Sequence, residues 1–333
     1  MGRLHRVLAG VLVILSLPGC AGPDEDGVLV VYSAGPRPVA EAITAAYEEA
    51  SGTRVELFAA TTGQVMARLE AERYRPRADV VIFASRVAAE ALKANDRLLA
   101  YPDPDWLEHT EEDWHDPDHF YFASSAALVG MAFRDRQYRD DFDWSDLLDG
   151  DSGLRLTMPS PSRSGAAGDL VVSLVLDRGE DVWPGLIRAR RAGLDFAAAN
   201  SQAISTTLVG AFDGIAGAVD YLIYGRIADG DPLRMHYPSS GSALVERPIA
   251  MLASTPEPDR ARAFVDFYFG EIAQTIVAEA HLLPADLRIP VSEQRGSRDL
   301  PPLLDRDIGE ALEQQNRILR QFQIRVERAE MPR

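Results

Sequence analysis

The chain has 333 residues, a formal net charge of −17 and a hydrophobic fraction of 46%. That length is enough for two domains, and the composition is typical of a globular protein without repeats or long disordered stretches. The acidic balance and the lack of a Lys/Arg run exclude a nucleic-acid partner, because such proteins need a basic stripe that displaces counterions from phosphates.

The amino terminus has the pattern of an export signal. Arg3 and Arg6 precede an apolar run over residues 7–17. This run is too short to span a membrane, but its length and its basic flank are typical of a signal-peptide core. Residues 1–19 are therefore predicted to be a signal peptide.

Cys20 is the single cysteine of the chain and directly follows Leu17-Pro18-Gly19. The segment resembles a bacterial lipobox, although Pro18 departs from the small or β-branched residue that is usual at that position. An ordinary secretory signal is the alternative. A lone exported thiol has no disulfide partner, so we favour lipidation of Cys20, with residues 20–27 as a short polar leash.

The segment from residue 28 to residue 95 alternates strand and helix patterns. Strands are predicted at 27–35, 53–58 and 78–85, and each is followed by apolar residues at helical spacing. In an open α/β sheet the carboxyl ends of the strands form the edge where ligands bind. Small and hydroxyl residues are concentrated at that edge: Ser33, Ala34, Gly35, Thr61, Thr62, Gly63 and Ser85.

Residues 156–170 are predicted to form a strand, a tight turn and a helix start. Pro159 and Pro161 exclude a helix through residue 161, whereas Ser164, Gly165 and Ala166 allow one to begin. The first N–H groups of a helix have no internal partner and lie at the positive end of its dipole, so they can hold an anion. The alternative is a plain strand-to-helix connection in which Ser164 only caps the helix.

The second half of the chain contains two further pairs of polar residues. Asn200 and Ser201 form a polar turn before a helix, and Asp220 and Tyr221 close an apolar run. A carboxylate at a strand end can accept hydrogen bonds from sugar hydroxyls or an ammonium group, or it can simply cap a helix. The charged helix over 308–326 is expected to pack on the first lobe.

Residues 101–119 are acidic and contain closely spaced histidines. His115 and His119 lie four residues apart, which would suit a metal site on a helix. Pro117 opposes a helix there, and no spaced carboxylate set completes a site. We therefore expect a surface loop.

Six segments of the chain carry a resemblance to a known family. They are Val31-Tyr32-Ser33-Ala34-Gly35, residues 61–72, Arg77-Ala78-Asp79-Val80, Gly217-Ala218-Val219-Asp220-Tyr221, Tyr237-Pro238-Ser239-Ser240-Gly241 and Arg247-Pro248. These segments resemble the extracellular solute-binding proteins of ABC importers. The resemblance is to the type II branch, which includes proteins that bind ferric ion, hexose phosphates or aminoethylphosphonate.

The resemblance implies an α/β fold, a two-lobe type II periplasmic-binding-protein clamp in which each lobe is a mostly parallel sheet flanked by helices. Lobe one would be residues 28–123 and 246–330, and lobe two residues 124–245.

The resemblance also implies a function. A small anionic solute, such as a sugar phosphate or an organophosphonate, would be captured between the lobes and delivered to a membrane permease with its ATPase. No reaction, cofactor or resident metal is implied, and the protein is expected to be a lipid-anchored monomer of the cell envelope. The solute would contact Ser33, Ala34, Gly35, Thr61, Thr62, Gly63, Ser85, Ser164, Gly165, Ala166, Asn200, Ser201, Asp220 and Tyr221.

Other functions remain open at this point. Relatives that bind ferric iron use an early His, a Glu after the third strand and adjacent tyrosines. Here the corresponding positions are Pro36 or Arg37, Ser85 and the pair Asp220-Tyr221, so only one phenolate remains. A serine hydrolase is disfavoured because no Gly-x-Ser-x-Gly elbow is present. A ligand sensor without transport is the remaining alternative.

Overall fold

A computed structural model of the chain describes residues 27–304 and 307–328. The predicted signal peptide, Cys20 and all but the last residue of the leash lie outside these ranges. Within the described part, no helix is long and apolar enough to cross a membrane.

In the part of the chain that the structure describes, eleven strands form one curled mixed sheet. The central strands are almost completely buried, which agrees with their apolar sequences. The strands are β1 Leu29–Ser33, β2 Val55–Ala59, β3 Val80–Ile82, β4 Leu98–Leu99, β5 Phe122–Arg134, β6 Leu156–Pro159, β7 Asp195–Ala197, β8 Gly214–Val219, β9 Leu233–His236, β10 Ala243–Leu252 and β11 Leu283–Pro284.

Helices cover both faces of this sheet. Local signals define several of their ends: Gly52 ends the first with a φ of 71°, and Thr61 begins the second with a capping box. The helices are α1 Arg37–Ser51, α2 Thr62–Ala71, α3 Arg86–Lys93, α4 Trp144–Asp149, α5 Gly165–Arg178, α6 Val182–Arg191, α7 Asn200–Leu208, α8 Asp220–Ala228, α9 Pro258–Tyr268, α10 Glu271–Glu279 and α11 Ile308–Phe322.

Each lobe contains a parallel part of the sheet. In lobe one β1 lies between β2 and β3 and pairs with both in parallel. In lobe two β6 pairs in parallel with β7 and β8. The expected fold class is confirmed, and the alternation of strand and helix explains it, because parallel neighbours need a crossover connection.

Two long antiparallel strands join the lobes. β5 pairs with β10 on one edge and with β8 on the other. The register of β10 shifts between Glu246 and Pro248, and that of the β5–β8 pair shifts between Gly130 and Met131. Such bulges bend a strand and re-aim side chains.

The C-terminal helix packs on more of the molecule than expected. α11 packs against α3 of lobe one, as expected, and also against α5 of lobe two, and it continues into a single π turn, Gln323–Glu327. Phe322 contacts Phe196 of lobe two edge to face, with ring centroids 5.6 Å apart. The apolar face of this helix is therefore shared between the lobes.

Candidate functional site

The carboxyl end of β1 is closed by Ser33. This residue is 1% exposed, and its Oγ accepts the Gly35 N–H at 3.1 Å. The Ala34 N–H donates to the carbonyl of Ile82, and the Ser33 carbonyl accepts the Ala60 N–H. The ends of the three parallel strands are thereby held together at one edge, as the sequence predicted.

The start of α2 lies at the same edge. Thr61 caps the helix by accepting the Gln64 N–H at 3.3 Å, while the Gln64 side chain accepts the Thr61 N–H at 3.1 Å. The Thr62 hydroxyl accepts the Ala84 N–H at 3.3 Å and so links α2 to the end of β3. Gly63 lies in the first turn, where no atom would contact an added Cβ within 4 Å.

The start of α5 has the predicted strand, turn and helix geometry. The Arg163 and Ser164 N–H groups donate to the Ser160 carbonyl and form the turn. Ser164 is the N-cap of α5, and its Oγ accepts the Ala167 N–H at 3.3 Å. The N–H groups of Gly165 and Ala166 belong to the first turn, where a helix has no internal acceptors for them.

Asn200 completes this corner from the start of α7. Its Nδ2 donates to Ser164 Oγ at 3.4 Å, so that oxygen accepts two hydrogen bonds. The Ser164 hydroxyl hydrogen is thus left to donate to an acceptor outside these contacts. Asn200 Oδ1 is buried and has no donor among the described residues. The corner therefore presents donors for an anion and one acceptor for a hydroxyl or ammonium group.

The two edges touch across the cleft. Ser85, the N-cap residue of α3, donates from Oγ to Asp169 Oδ1 of α5 at 3.3 Å, and both residues are buried. A Cβ added to Gly165 would lie 4.0 Å from the Ala84 carbonyl oxygen. The predicted lobe-one and lobe-two residues at these positions are thus brought together.

Asp220 begins α8 but does not face solvent. It is 0% exposed; one oxygen accepts the Tyr221 N–H at 2.6 Å, and the other accepts Arg295 Nη2 at 2.7 Å and the Tyr237 hydroxyl at 3.3 Å. Burial raises the pKa of Asp220, and Arg295 opposes the rise. Asp220 therefore ties the end of β8 to the segment that follows β11.

Tyr221 lies beside Arg247, a residue that was not predicted to belong to the site. The guanidinium carbon of Arg247 lies 5.3 Å from the centroid of the Tyr221 ring. Arg247 is 5% exposed and lies in β10 opposite a bulge of β5. The signal available in the sequence was a charged pair, Glu246-Arg247, inside an otherwise apolar strand.

The acidic loop is partly buried instead of lying fully in solvent, since Trp114, His115 and Asp116 are at most 7% exposed. It lines a cavity of about 1080 Å³ together with Arg86, and no predicted site residue contributes to the lining. His115 Nε2 lies 2.6 Å from Thr110 Oγ1 inside the loop. Within the described residues, no group of three or more His, Asp or Glu side chains is placed to hold a metal ion.

Residues 28–282 match the family described as bacterial extracellular solute-binding protein. The chain belongs to this family. No curated protein is similar to it in sequence.

Solved structures agree on the fold. The periplasmic binding protein AfuA from Actinobacillus pleuropneumoniae, with exogenous fructose-6-phosphate bound, is 18% identical, with a TM-score of 0.80 over 92% of this chain and 100% of its own. Iron-bound HitA from Pseudomonas aeruginosa is 19% identical, with a TM-score of 0.76 over 87% and 99%. The ferric binding protein from Campylobacter jejuni is 18% identical, with a TM-score of 0.76 over 88% and 97%.

The family determines the general role. The chain is a solute-binding protein of the ABC-importer type with the type II periplasmic-binding-protein fold. Members are extracellular or periplasmic binding proteins, whose partners are a small-molecule ligand and an ABC permease.

Proposed function

We propose that this protein captures a small anionic solute carrying hydroxyl or amino groups, namely a sugar phosphate or an organophosphonate. The observation that carries the proposal is the corner at Ser164, where a hydroxyl hydrogen and the first N–H groups of α5 are available as donors. A phosphate or phosphonate oxygen accepts such donors at a helix start. A structural neighbour, AfuA, was solved with fructose-6-phosphate.

Asn200 narrows the class of solute. Its buried Oδ1 has no donor among the described residues, and an unsatisfied buried acceptor costs about 1–3 kcal/mol. A sugar hydroxyl or the ammonium group of an aminoalkylphosphonate would satisfy it. Inorganic phosphate monoanion and dianion offer fewer donors.

Ferric iron is the second candidate because two structural neighbours are an iron-bound protein and a ferric binding protein. Iron prefers hard anionic oxygens. Asp220 is committed to Arg295, and Ser85 stands where a carboxylate would be needed. An organic anion therefore suits the residues better than iron.

The remaining parts of the proposal concern the cell. The protein would be exported, anchored by a lipid on Cys20 and active as a monomer that delivers its solute to a permease and ATPase. Mass spectrometry of the protein recovered from membranes tests the anchor: a mature chain that begins at an acylated Cys20 is expected, and an unmodified soluble chain would contradict it.

Thermal unfolding of the purified mature protein tests the ligand class. Fructose 6-phosphate or 2-aminoethylphosphonate should raise the melting midpoint, because a ligand at one hundred times its Kd adds about 2.7 kcal/mol of stability. A shift with ferric citrate and none with any phosphorylated compound or phosphonate would show that the proposed class is wrong.

Ser164→Pro tests the location. The substitution removes the N–H that donates to the Ser160 carbonyl, which distorts the turn, and it also removes the Ser164 hydroxyl, so ligand stabilisation should disappear. Ser162→Pro is not a suitable control, because residue 162 lies in the same turn. Ser201→Ala, in the first turn of α7, keeps the Ser164 corner intact and should lose less affinity.

A further inference from the structure

A bulge in β5 lies opposite Arg247, at the junction of the lobes. Glu246 pairs in register with Ala126 of β5 and Pro248 with Ala123, so Ser124 and Ser125 of β5 both oppose the single residue Arg247 of β10. Its carbonyl accepts the Ser124 hydroxyl at 2.9 Å, which fixes the backbone. Bulges recur beside active sites because they turn one side chain out of the regular alternation.

The Arg247 guanidinium is buried, and no carboxylate among the described residues forms an ion pair with it. The residue is 5% exposed, and its Nε has no hydrogen-bond partner among the described residues. The neighbouring carboxylate, Glu246, pairs with Arg86 at 3.1 Å instead. Two further buried carboxylates lie at the junction: Asp220 pairs with Arg295, and Asp169 accepts the Ser85 hydroxyl.

The aromatic neighbours of Arg247 do not supply the missing charge. Tyr221 contributes its ring face at 5.3 Å, a cation–π contact. Burial raises the pKa of Tyr268 to about 12 against the opposing effect of Arg247. The Tyr268 hydroxyl is therefore neutral at pH 7, whereas a buried cation is strongly disfavoured unless an anion accompanies it.

We propose that Arg247 binds the charged group of the solute directly and provides the main counter-charge for a phosphate or phosphonate dianion. The proposal rests on the function proposed above and adds a residue to that site. The guanidinium presents a fork of N–H donors that matches two oxygens of such a group, and it stays charged at any physiological pH. The ring of Tyr221, a residue of lobe two, contacts the guanidinium and helps to orient it.

This role explains why an arginine is placed between the lobes. The side chain belongs to a crossing strand and stacks on a lobe-two ring. An anion bound by both Arg247 and the donors at Ser164 would contact both parts of the clamp only when the lobes are closed. Such a contact favours closure, since a ligand shifts an equilibrium only through its different affinities for the two states.

Arg247→Met tests the proposal through two independent measurements. The first is calorimetric binding of fructose 6-phosphate, 2-aminoethylphosphonate and inorganic phosphate, for which we expect at least about a 100-fold loss of affinity, since one partner of a buried charge pair is removed. The second is the melting midpoint without ligand, which should be unchanged or higher, because an uncompensated buried charge is replaced by an apolar side chain of similar length. Arg247→Lys should recover part of the affinity.

Arg86→Met is the matched control. The Arg86 side chain is 14% exposed, and it donates to Tyr121, Glu246 and two carbonyls, so its loss should lower the ligand-free midpoint markedly. A comparable fall in Arg247→Met would show that Arg247 is structural and would overturn the proposal, whether or not a ligand is known. Unchanged affinity in Arg247→Met would overturn it too, while failure of the parent protein to bind any of these anions would instead refute the proposed function.

Discussion

Burial of the His115 ring changes its pKa. It is 7% exposed, and Arg86 donates to its carbonyl at 3.2 Å. Burial, followed by the positive charge of Arg86 and of His119, lowers the pKa of His115 from 6.5 to about 4. The ring is therefore neutral in the folded protein at pH values where it would be charged in the unfolded chain.

The lowered pKa of His115 predicts that the folded protein loses stability at pH values above those at which carboxylates become protonated. Between pH 6.5 and about 4 the unfolded chain binds a proton that the folded chain does not, so the free energy of unfolding should fall as the pH is lowered. The loss attributable to His115 is about 3 kcal/mol. Urea unfolding at pH 7, 5.5 and 4.5 measures it.

His115→Gln should remove most of that slope, leaving the part due to His281, whose pKa burial and Arg295 also lower. His109→Gln is the control, since its ring is 35% exposed. Equal slopes for the parent protein and the His115 variant would contradict the assignment.

At the scale of elements, the C-terminal π turn stabilises the loop before Ser164, where the solute anion is proposed to bind. Glu327 accepts the Ser160 hydroxyl at 2.5 Å and the Ser162 hydroxyl at 2.6 Å. Both serines belong to the turn that leads into α5. The last described element of the chain thus fixes the loop whose N–H groups are proposed to hold the solute.

Glu327→Ala is expected to weaken ligand binding without touching the ligand. The turn would lose two hydrogen bonds to a charged group, and its looser geometry should raise the Kd for the anion about tenfold. Titration calorimetry measures the change. Glu313→Ala, an exposed residue of α11, should bind like the parent protein; similar losses in both variants would indicate a general effect of the helix instead.

At the scale of the whole molecule, the described state is one in which the lobes touch. The hydrogen bond from Ser85 to Asp169 joins α3 of lobe one to α5 of lobe two. α11 bridges the same two helices from outside. A contact that exists only between closed lobes contributes its free energy to the closed state alone.

Ser85→Ala should therefore shift the clamp toward an open state. One net hydrogen bond of about 1 kcal/mol corresponds to about a fivefold change in the closing equilibrium and in the apparent Kd. Small-angle X-ray scattering with and without ligand should show a larger radius of gyration for the variant than for the parent protein. Ser51→Ala, which removes a hydrogen bond to the Tyr47 carbonyl within α1, should leave the radius unchanged.

The local elements of this protein could be predicted from residue order. The buried strands β1 and β3, the cap at Thr61 and the helix start at Ser164 all follow from short-range rules about apolar periodicity, hydroxyl caps and proline. The resemblance to solute-binding proteins then supplied the family and the fold class, and the family match and the solved structures agree with both.

Contacts between distant segments could not be predicted in the same way. Asp220 was assigned to the solute because it follows a strand, but its partner is Arg295, 75 residues away along the chain. The position of α11 depends on which apolar surface of the folded lobes remains uncovered. Arg247 was overlooked because a side chain's burial and lack of a counter-charge are properties of its neighbours in space, and these are set by the register of β10 on β5.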